Sequence, residues 1–362
     1  MFATNYQDIL DRVANFDASE YARSRNFLDG TVSRLSPYIS RGVISTKYVL
    51  EQLDTRYDRS SIEKFIQELA WRDYWQVCWN ELGDAISSDL RYPQTPVSSL
   101  KPPLSLIEGN TGINDVDHAI VELYNTGYMH NHMRMYVASL ATNFGQRHWL
   151  QSARWMYYHL LDGDWASNAL SWQWVAGSNS HKKYWFNQEN LNKYGLSEQH
   201  KTFIDQPYNN FPLNDVPSAL VDDISLRLHI ELPETTDIII DSSKPTVVYT
   251  TYNLDSRWLT DLDANRVLLL EPSHFDRYPV SPHVLKFILD LTHEIEGIQV
   301  AVMEFKQLKE LCCPNFDVHY KQHPLSKHFE GIEHSRDWMT SVHTYSKSFS
   351  GWWKKARREL GL

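Results

Sequence analysis

Cysteine is scarce in this 362-residue chain, where Cys78, Cys312 and Cys313 are the whole set. Three thiols without paired spacing exclude a disulfide framework and a cysteine-based zinc site, and a four-thiolate iron–sulfur cluster would lack one ligand. No metal site is implied. Uninterrupted apolar runs of about 18 residues, the length a membrane span needs, are missing. The opening MFATNYQDILDRVANF has neither the basic flank nor the apolar stretch of a secretory signal, so the chain is expected to be cytoplasmic. Walker and Rossmann glycine patterns are absent, as are internal repeats and low-complexity tracts. Positive charge is also in short supply: 35 Lys and Arg face 45 Asp and Glu, a formal net charge of −10. Bulk electrostatic coating of nucleic acid is thereby excluded, and any DNA contact must be confined to one face.

What the chain has is apolar and aromatic. Hydrophobic residues make up 42% and charged residues 22%, the balance of a globular protein long enough for two domains. There are 13 Trp and 20 Tyr, the Trp concentrated between Trp71 and Trp185, and most such rings fill cores rather than carry chemistry. Residues 1–205 read as successive helices. Ser60 and Glu63 make a capping-box pattern ahead of IEKFIQELAWRDYWQVCWNEL, and further helices are predicted to begin near Asn114, Gly127, Gln146 and Asp164. Residues 85–108, punctuated by proline, predict an irregular segment. Residues 206–235 read as a connector with one amphipathic piece, SALVDDISLRL. From 236 to 362 the short β-branched runs TVVYTT, RVLLLEP, IQVAVMEF and FDVHY alternate with the helical patterns SRWLTDL, PHVLKFILDLTHEIEG and KQLKEL. That alternation predicts a small parallel sheet with crossover helices. The terminal FSGWWKKARREL is an amphipathic basic helix, whose charges complement a helix C-terminus or, less simply, meet nucleic acid.

Four constellations concentrate chemistry. Glu68, Trp71, Arg72 and Trp75 share one helical face; a carboxyl group among indoles would resist ionisation and act as a hydrogen-bond donor. The plainer reading is a packed helix with a surface ion pair. In GYMHNHMRM, Asn131, Arg134 and Met135 share a face, and the Asn131 amide both donates and accepts. DGDWASNALSWQW sets Asp162 and Asp164 at a predicted helix N-terminus, where carboxylates also serve simply as caps. Asn168 and Trp172 follow one turn apart. In VSRLSPYISRGVIS, Ser33, Arg34 and Ser36 gather hydroxyl, amide and cationic donors in a turn closed by Pro37, a cradle suited to pyrophosphate. Spacing alone leaves a Trp-lined helical protein of unknown task.

Taken in order, SRLSPYISRGVIS, ELAWRDYW, GNTGINDVDHAI, GYMHNHMRM and LLDGDWASNALSWQW resemble the helical FAD-binding domain of the photolyase/cryptochrome superfamily, over about residues 20–195. The resemblance implies a mainly helical FAD-binding domain at 1–205, followed across the connector by a smaller α/β domain with a short parallel sheet. It implies FAD as cofactor, with Tyr21, Ser33, Arg34, Leu35 and Ser36 around its phosphates and ribose and Arg72 reaching toward it. Arg134 paired with Asp162 would lie beside the flavin ring with Asp164, and Asn168 matches the amide that tunes its redox state. Glu68, Trp71, Asn131, Met135 and Trp174 match the pocket for a pyrimidine dimer flipped out of DNA. The implied activity is light-driven splitting of cyclobutane dimers, with DNA as partner, no membrane and no protein partner. His130 and His132 beside Asn131 keep (6-4) dimers in view.

Trp172 and Trp149 match the proximal and middle members of an electron-transfer chain. The distal position falls near Pro96, leaving Tyr92, Trp155 and Trp185 as substitutes. The α/β pattern follows the helical part, whereas family members usually place it first. It is expected either to be a rearranged antenna-like domain or an unrelated cap, with the antenna chromophore unidentified. The basic stretch His181, Lys182 and Lys183 reads as a solvated loop that could touch phosphate. Two competing readings remain: a cryptochrome-like light sensor, and a DNA-binding flavoprotein without repair, for which single strands are an open preference.

Overall fold

Residues 246–334 form strands where β-branched side chains run together and helices where the apolar period lengthens. The computed structural model describes residues 2–234, 238–312 and 317–362; Cys313 and Phe316 lie outside them. The chain divides into two compact units. The first comprises Met1–Phe16, Ser33–Asn80 and Leu228–Leu362, the second Asp17–Val32 and Glu81–Arg227.

The first unit is built on a five-stranded, all-parallel sheet of β1 (Thr246–Tyr249), β2 (Asn265–Leu270), β3 (Ile298–Val302), β4 (Val318–Lys321) and β5 (Ile332–His334), in the order β3-β2-β1-β4-β5. β1 is central and buried throughout, as parallel strands covered on both faces are. Val248, Val267, Leu269, Ala301, Phe305, Leu308 and Val318 belong to one buried cluster, which also takes in Cys312. The helices Pro282–Thr292, capped by Ser281, and Phe305–Leu311, with a Glu304/Gln307 capping box, stand between strands as predicted.

Two expectations fail here for visible reasons. SRWLTDL does not become a helix: the Arg266 guanidinium takes the carbonyls of Leu259 (2.6 Å) and Leu262 (3.1 Å), and Leu259 sits at φ +54°, outside helical geometry. β5 was not anticipated, because IEH is three residues long and mostly exposed, with no alternation to reveal it. The helix Glu63–Leu82 forms as predicted, but a 3₁₀ turn, Arg59–Ile62, precedes it and contains Ser60. The Glu63 carboxylate binds Arg357 (2.6 Å), so the expected capping box is absent.

In the second unit the helices Asn114–Thr126, Asn131–Ser139, Trp149–His159 and Trp165–Ala176 follow the predicted order, each starting within a few residues of its expected place. Gly127 (φ +69°) and Gly177 (φ +82°) end two of them in the left-handed conformation that glycine adopts without a Cβ penalty. The proline-rich stretch is irregular except for the end of the 3₁₀ turn Gly83–Ser87 and the short helix Leu104–Glu108. It pairs with the piece expected to be amphipathic: Leu104 N donates to Asp222 O and Ile224 N to Pro102 O. Those bonds, with the bridge between Pro103 and Asp223, keep residues 222–224 out of a helix, and only Ser218–Leu220 makes a 3₁₀ turn. No described helix is long and apolar enough to cross a membrane.

Candidate functional site

In the second unit, Asp162 and Arg134 meet as their motifs suggested. Arg134 Nη2 lies 3.0 Å from Asp162 Oδ1, with the Asp162 side chain 2% and the Arg134 side chain 21% exposed. Arg134 Nε also donates to Met129 O at 2.8 Å, and the guanidinium stands 5.8 Å over the Tyr128 ring. A cation anchored on three sides is pre-positioned, since little side-chain freedom is left to lose on binding. Asp164 is the N-cap of the helix Trp165–Ala176, accepting from Ser167 N at 2.8 Å, so the capping reading describes its side chain. Asn168 is buried, and its Nδ2 donates to Ala153 O at 2.7 Å, which joins this helix to Trp149–His159. Met135 is half-buried and Asn131 exposed.

The histidines beside Asn131 are structural. His130 caps the helix Asn131–Ser139, and the buried His132 ring contacts Asn26 O at 2.8 Å through Nδ1. Burial lowers the His132 pKa. Trp172 is 2% exposed and Trp174, two residues on and therefore on another face, is 42% exposed.

Trp149 is fully buried, and two residues of the proline-rich stretch hold it. Its Nε1 donates to Asp89 Oδ1 at 2.8 Å, and its backbone N–H donates to Gln94 Oε1 at 2.9 Å. Nothing in the sequence singled out Asp89 or Gln94, because both meet Trp149 across more than 50 residues of chain. Tyr92 lies in the same stretch, 40% exposed, with its hydroxyl 3.0 Å from His181 Nδ1. Trp155 is buried and donates to Tyr124 Oη. Trp185 stacks on Phe211 with ring centroids 5.5 Å apart. Tyr21, half-buried, lies 6.0 Å beneath the Arg25 guanidinium.

In the first unit the SRLSP turn is tight. Arg34, exposed, adopts φ +52°, a left-handed conformation that costs a non-glycine residue about 1–3 kcal/mol and recurs at ligand clamps. Ser33 Oγ accepts from Leu35 N, Leu35 is buried, and Ser36 opens a short helix ending at Ser40. Arg72, on the helix Glu63–Leu82, donates to Ser40 Oγ at 2.8 Å, so the turn and the helix are tied together.

The same helix revises the reading of Glu68. Its carboxylate lies 2.9 Å from Lys64 Nζ, with a quarter of the side chain exposed, the ion pair that the plainer reading anticipated. On this helix the acid that burial does push up is Asp73, which is 1% exposed and accepts from Thr46 Oγ1 and Met339 N at 2.9 Å each. Trp71 is not open on both faces: Phe349 stacks on it with centroids 3.5 Å apart and planes 11° from parallel. Phe349 opens the terminal helix Phe349–Glu359, and its side of the contact gave no sequence signal beyond amphipathicity.

Comparison with known proteins places these motifs. The family model described as the FAD-binding domain of DNA photolyase matches residues 65–206. The mitochondrial deoxyribodipyrimidine photo-lyase of Saccharomyces cerevisiae is 30% identical over 204 residues, 50% of this chain and 35% of that protein. The deoxyribodipyrimidine photo-lyase of Alkalihalophilus pseudofirmus is 35% identical over 164 residues, 44% of this chain and 34% of that one. That of Escherichia coli is 29% identical over 219 residues, 56% of this chain and 45% of its own. The aligned part of the chain thus spans between a third and a half of these relatives' lengths. Among solved structures, a cryptochrome of Synechocystis overlays with a TM-score of 0.48 at 24% identity, covering 52% of this chain and 43% of that one. A class III photolyase of Agrobacterium tumefaciens gives 0.43 at 28% identity, covering 52% and 42%. Over residues 65–206 the chain is thus similar to the FAD-binding domain of DNA photolyase.

Proposed function

We propose that this chain binds FAD and uses blue light to split cyclobutane pyrimidine dimers in DNA, acting as a deoxyribodipyrimidine photo-lyase. The observation that carries the reading is the pair Arg134–Asp162, a guanidinium held 3.0 Å from a buried carboxylate inside the matched FAD-binding segment. Bound FAD would supply light absorption and a transferable electron. The residues present suit such a group. Arg134 offers a fixed cation that favours an anionic ring. Asn168 commits its amide nitrogen to Ala153 O, which leaves the amide oxygen as an acceptor for a ligand N–H. Ser33, Arg34 and Ser36 supply donors in a strained turn, and Arg72, tied to Ser40, adds positive charge suited to phosphate. Tyr21, Leu35, Asp162 and Asp164 complete this set.

On the DNA side, Trp71, Asn131, Met135 and Trp174 would receive the flipped dimer, and the exposure of Asn131 and Trp174 suits a partner that arrives from solvent. Glu68 would donate to a thymine carbonyl once it releases Lys64 and takes up a proton. His130 and His132 are buried and each engages a backbone group through Nδ1, which favours the cyclobutane dimer over the (6-4) type. Residues 1–205 would carry the flavin and DNA functions, and residues 236–362 the α/β part. We place the chain in the cytoplasm, with DNA as its partner.

One observation favours a second reading, a light-sensing flavoprotein without repair: Trp71 gives a ring face to Phe349 rather than to a substrate. The deciding experiment incubates the reduced, FAD-loaded protein with single- and double-stranded oligonucleotides carrying one thymine cyclobutane dimer, under blue light and in the dark. Light-dependent recovery of thymines is the expected result, and the better substrate sets the strand preference. Bound FAD with no repair of either oligonucleotide would refute the photolyase reading and leave the sensor.

A further inference from the structure

We propose that the cleft at the carboxyl ends of β1 and β4 binds a small oxyanion, a phosphate or carboxylate group. The chain leaves β1 for β2 and β3 on one side and returns to β4 and β5 on the other, so the winding reverses between β1 and β4. In open parallel sheets the crevice outside the carboxyl ends at such a reversal is where ligands sit. A small cleft, partly open to solvent, occupies that position; Asn253 beyond β1, His323 beyond β4, Ser45, Thr46 and Arg336 line it.

Its polar lining has more donors than acceptors. His323 is 6% exposed, and its Nδ1 accepts from Leu325 N at 3.3 Å. Nδ1 therefore carries no proton, and in the neutral ring that burial enforces the hydrogen is on Nε2. That Nε2–H is buried with no acceptor among the described residues, and the same holds for Asn253 Nδ2 on a side chain that is 5% exposed. A buried donor left unsatisfied costs about 1–3 kcal/mol, so two beside one cleft point to an absent acceptor. Tyr252 stacks on the His323 ring, centroids 4.3 Å apart and 9° from parallel, and fixes its direction.

The charge of the missing acceptor follows from its surroundings. The Arg336 guanidinium rests on the Trp338 ring at 5.4 Å and makes no hydrogen bond or salt bridge among the described residues, although its charge acts on the buried Asp73. The helix Thr46–Asp54 begins at the cleft; Ser45 caps Tyr48 N, and the first-turn amides of Thr46 and Lys47 have no intrahelical acceptor. Buried Arg41 lies 5.6 Å from the Tyr252 ring. The two carboxyl groups at the cleft are already engaged: Asp337 by Lys321, and Asp255 by Arg257 N at 3.0 Å, with burial raising the Asp255 pKa and so reducing its charge. A neutral ligand would satisfy the two orphan donors, but Arg336 and the helix terminus select an anion.

The probe is inorganic phosphate, titrated calorimetrically into the FAD-loaded protein at fixed ionic strength, with acetate in a parallel titration. Saturable one-to-one binding is expected. Arg336→Gln, at a half-buried position, should weaken it at least tenfold, whereas Lys355→Gln, an exposed cation on the terminal helix, should leave it unchanged. In the wild type the His323 Nε2–H resonance should shift with the same saturation curve. A preference for phosphate or for acetate identifies the group the ligand carries, and either one supports an oxyanion site. No saturable binding of either anion, equal loss in the two variants, or a His323 resonance that ignores bound anion would overturn the proposal.

Discussion

Truncating Phe349 tests whether the terminal helix holds Trp71 in place. The Phe349 side chain is 7% exposed, lies face to face on Trp71 at 3.5 Å, and is met edge-on by Tyr74 at 5.5 Å. The helix is pinned nearby by Tyr74 Oη donating to Ser346 O at 2.9 Å and by Trp352 Nε1 donating to Val342 O at 2.8 Å, so a cavity at 349 has little freedom to collapse. Phe→Ala at such a site costs about 3–5 kcal/mol. Phe→Leu keeps most of the apolar volume and loses the ring geometry, which contributes about 0.5–1.5 kcal/mol beyond area. Urea unfolding of Phe349→Ala and Phe349→Leu, alone and combined with Trp71→Leu, separates the two effects. The expected coupling between positions 71 and 349 is about 1 kcal/mol, within the range found for contacting residues. Under the repair reading, Phe349→Leu should also weaken affinity for a dimer-containing oligonucleotide while FAD content stays constant, because Trp71 loses its support and the flavin residues do not. A cost below about 1 kcal/mol for Phe349→Ala, or no coupling to Trp71, would refute the stack.

The remaining expectations are as specific. Asp162→Ala should cost about 3 kcal/mol in urea unfolding, the low end for breaking a buried pair because Arg134 is 21% exposed; Arg134→Met with Asp162→Leu should recover more than half of that loss. Asp73→Ala should cost about 1–3 kcal/mol by stranding the Met339 N–H and the Thr46 hydroxyl, and Asp73→Asn, whose amide oxygen still accepts, should restore most of it. Burial depresses His159 and His274 from 6.5 to about 4. Between those values the unfolded chain binds protons that the folded chain refuses, so stability must fall as pH drops from 6.5 toward 4. His274→Gln should flatten that slope, and a stability that is constant over this window would contradict the burial. Trp172 and Trp149 have almost no solvent contact, whereas Tyr92 is 40% exposed in the stretch that holds Trp149. If electrons from a solution thiol reach oxidised FAD by this route, Trp172→Phe should abolish photoreduction, Tyr92→Phe should slow it several-fold, and repair by chemically reduced protein should survive both. Unchanged photoreduction in Trp172→Phe would discard the route.

Local pattern carried the elements that local physics determines. The β-branched runs became β1, β2, β3 and β4, and the apolar period at 282–292 became the crossover helix it predicts, because burial on both faces of a parallel sheet leaves a continuous apolar signature. Where an element's backbone partners lie far along the chain, the pattern misled. SRWLTDL has helical periodicity, but Arg266 binds its carbonyls, and SALVDDISLRL gives its bonds to a proline-rich stretch more than 100 residues earlier.

The candidate site divides along the same line. The Arg134–Asp162 contact was legible through motif resemblance, since two short motifs keep their order whatever the sheet does. The state of Glu68 was not. A stripe of Glu, Trp, Arg and Trp implies a desolvated carboxyl group only if nothing else reaches it, and Lys64 reaches it from one turn back on the same helix. Asp73, one residue after Arg72, holds the desolvated carboxyl group, because Thr46 and Met339 close over it. Periodicity ranks faces by composition, whereas desolvation is decided by what the rest of the chain lays upon them. The same reason puts Phe349 on Trp71: the indole was identifiable in ELAWRDYW, but the ring that fixes its orientation comes from the other end of the sequence.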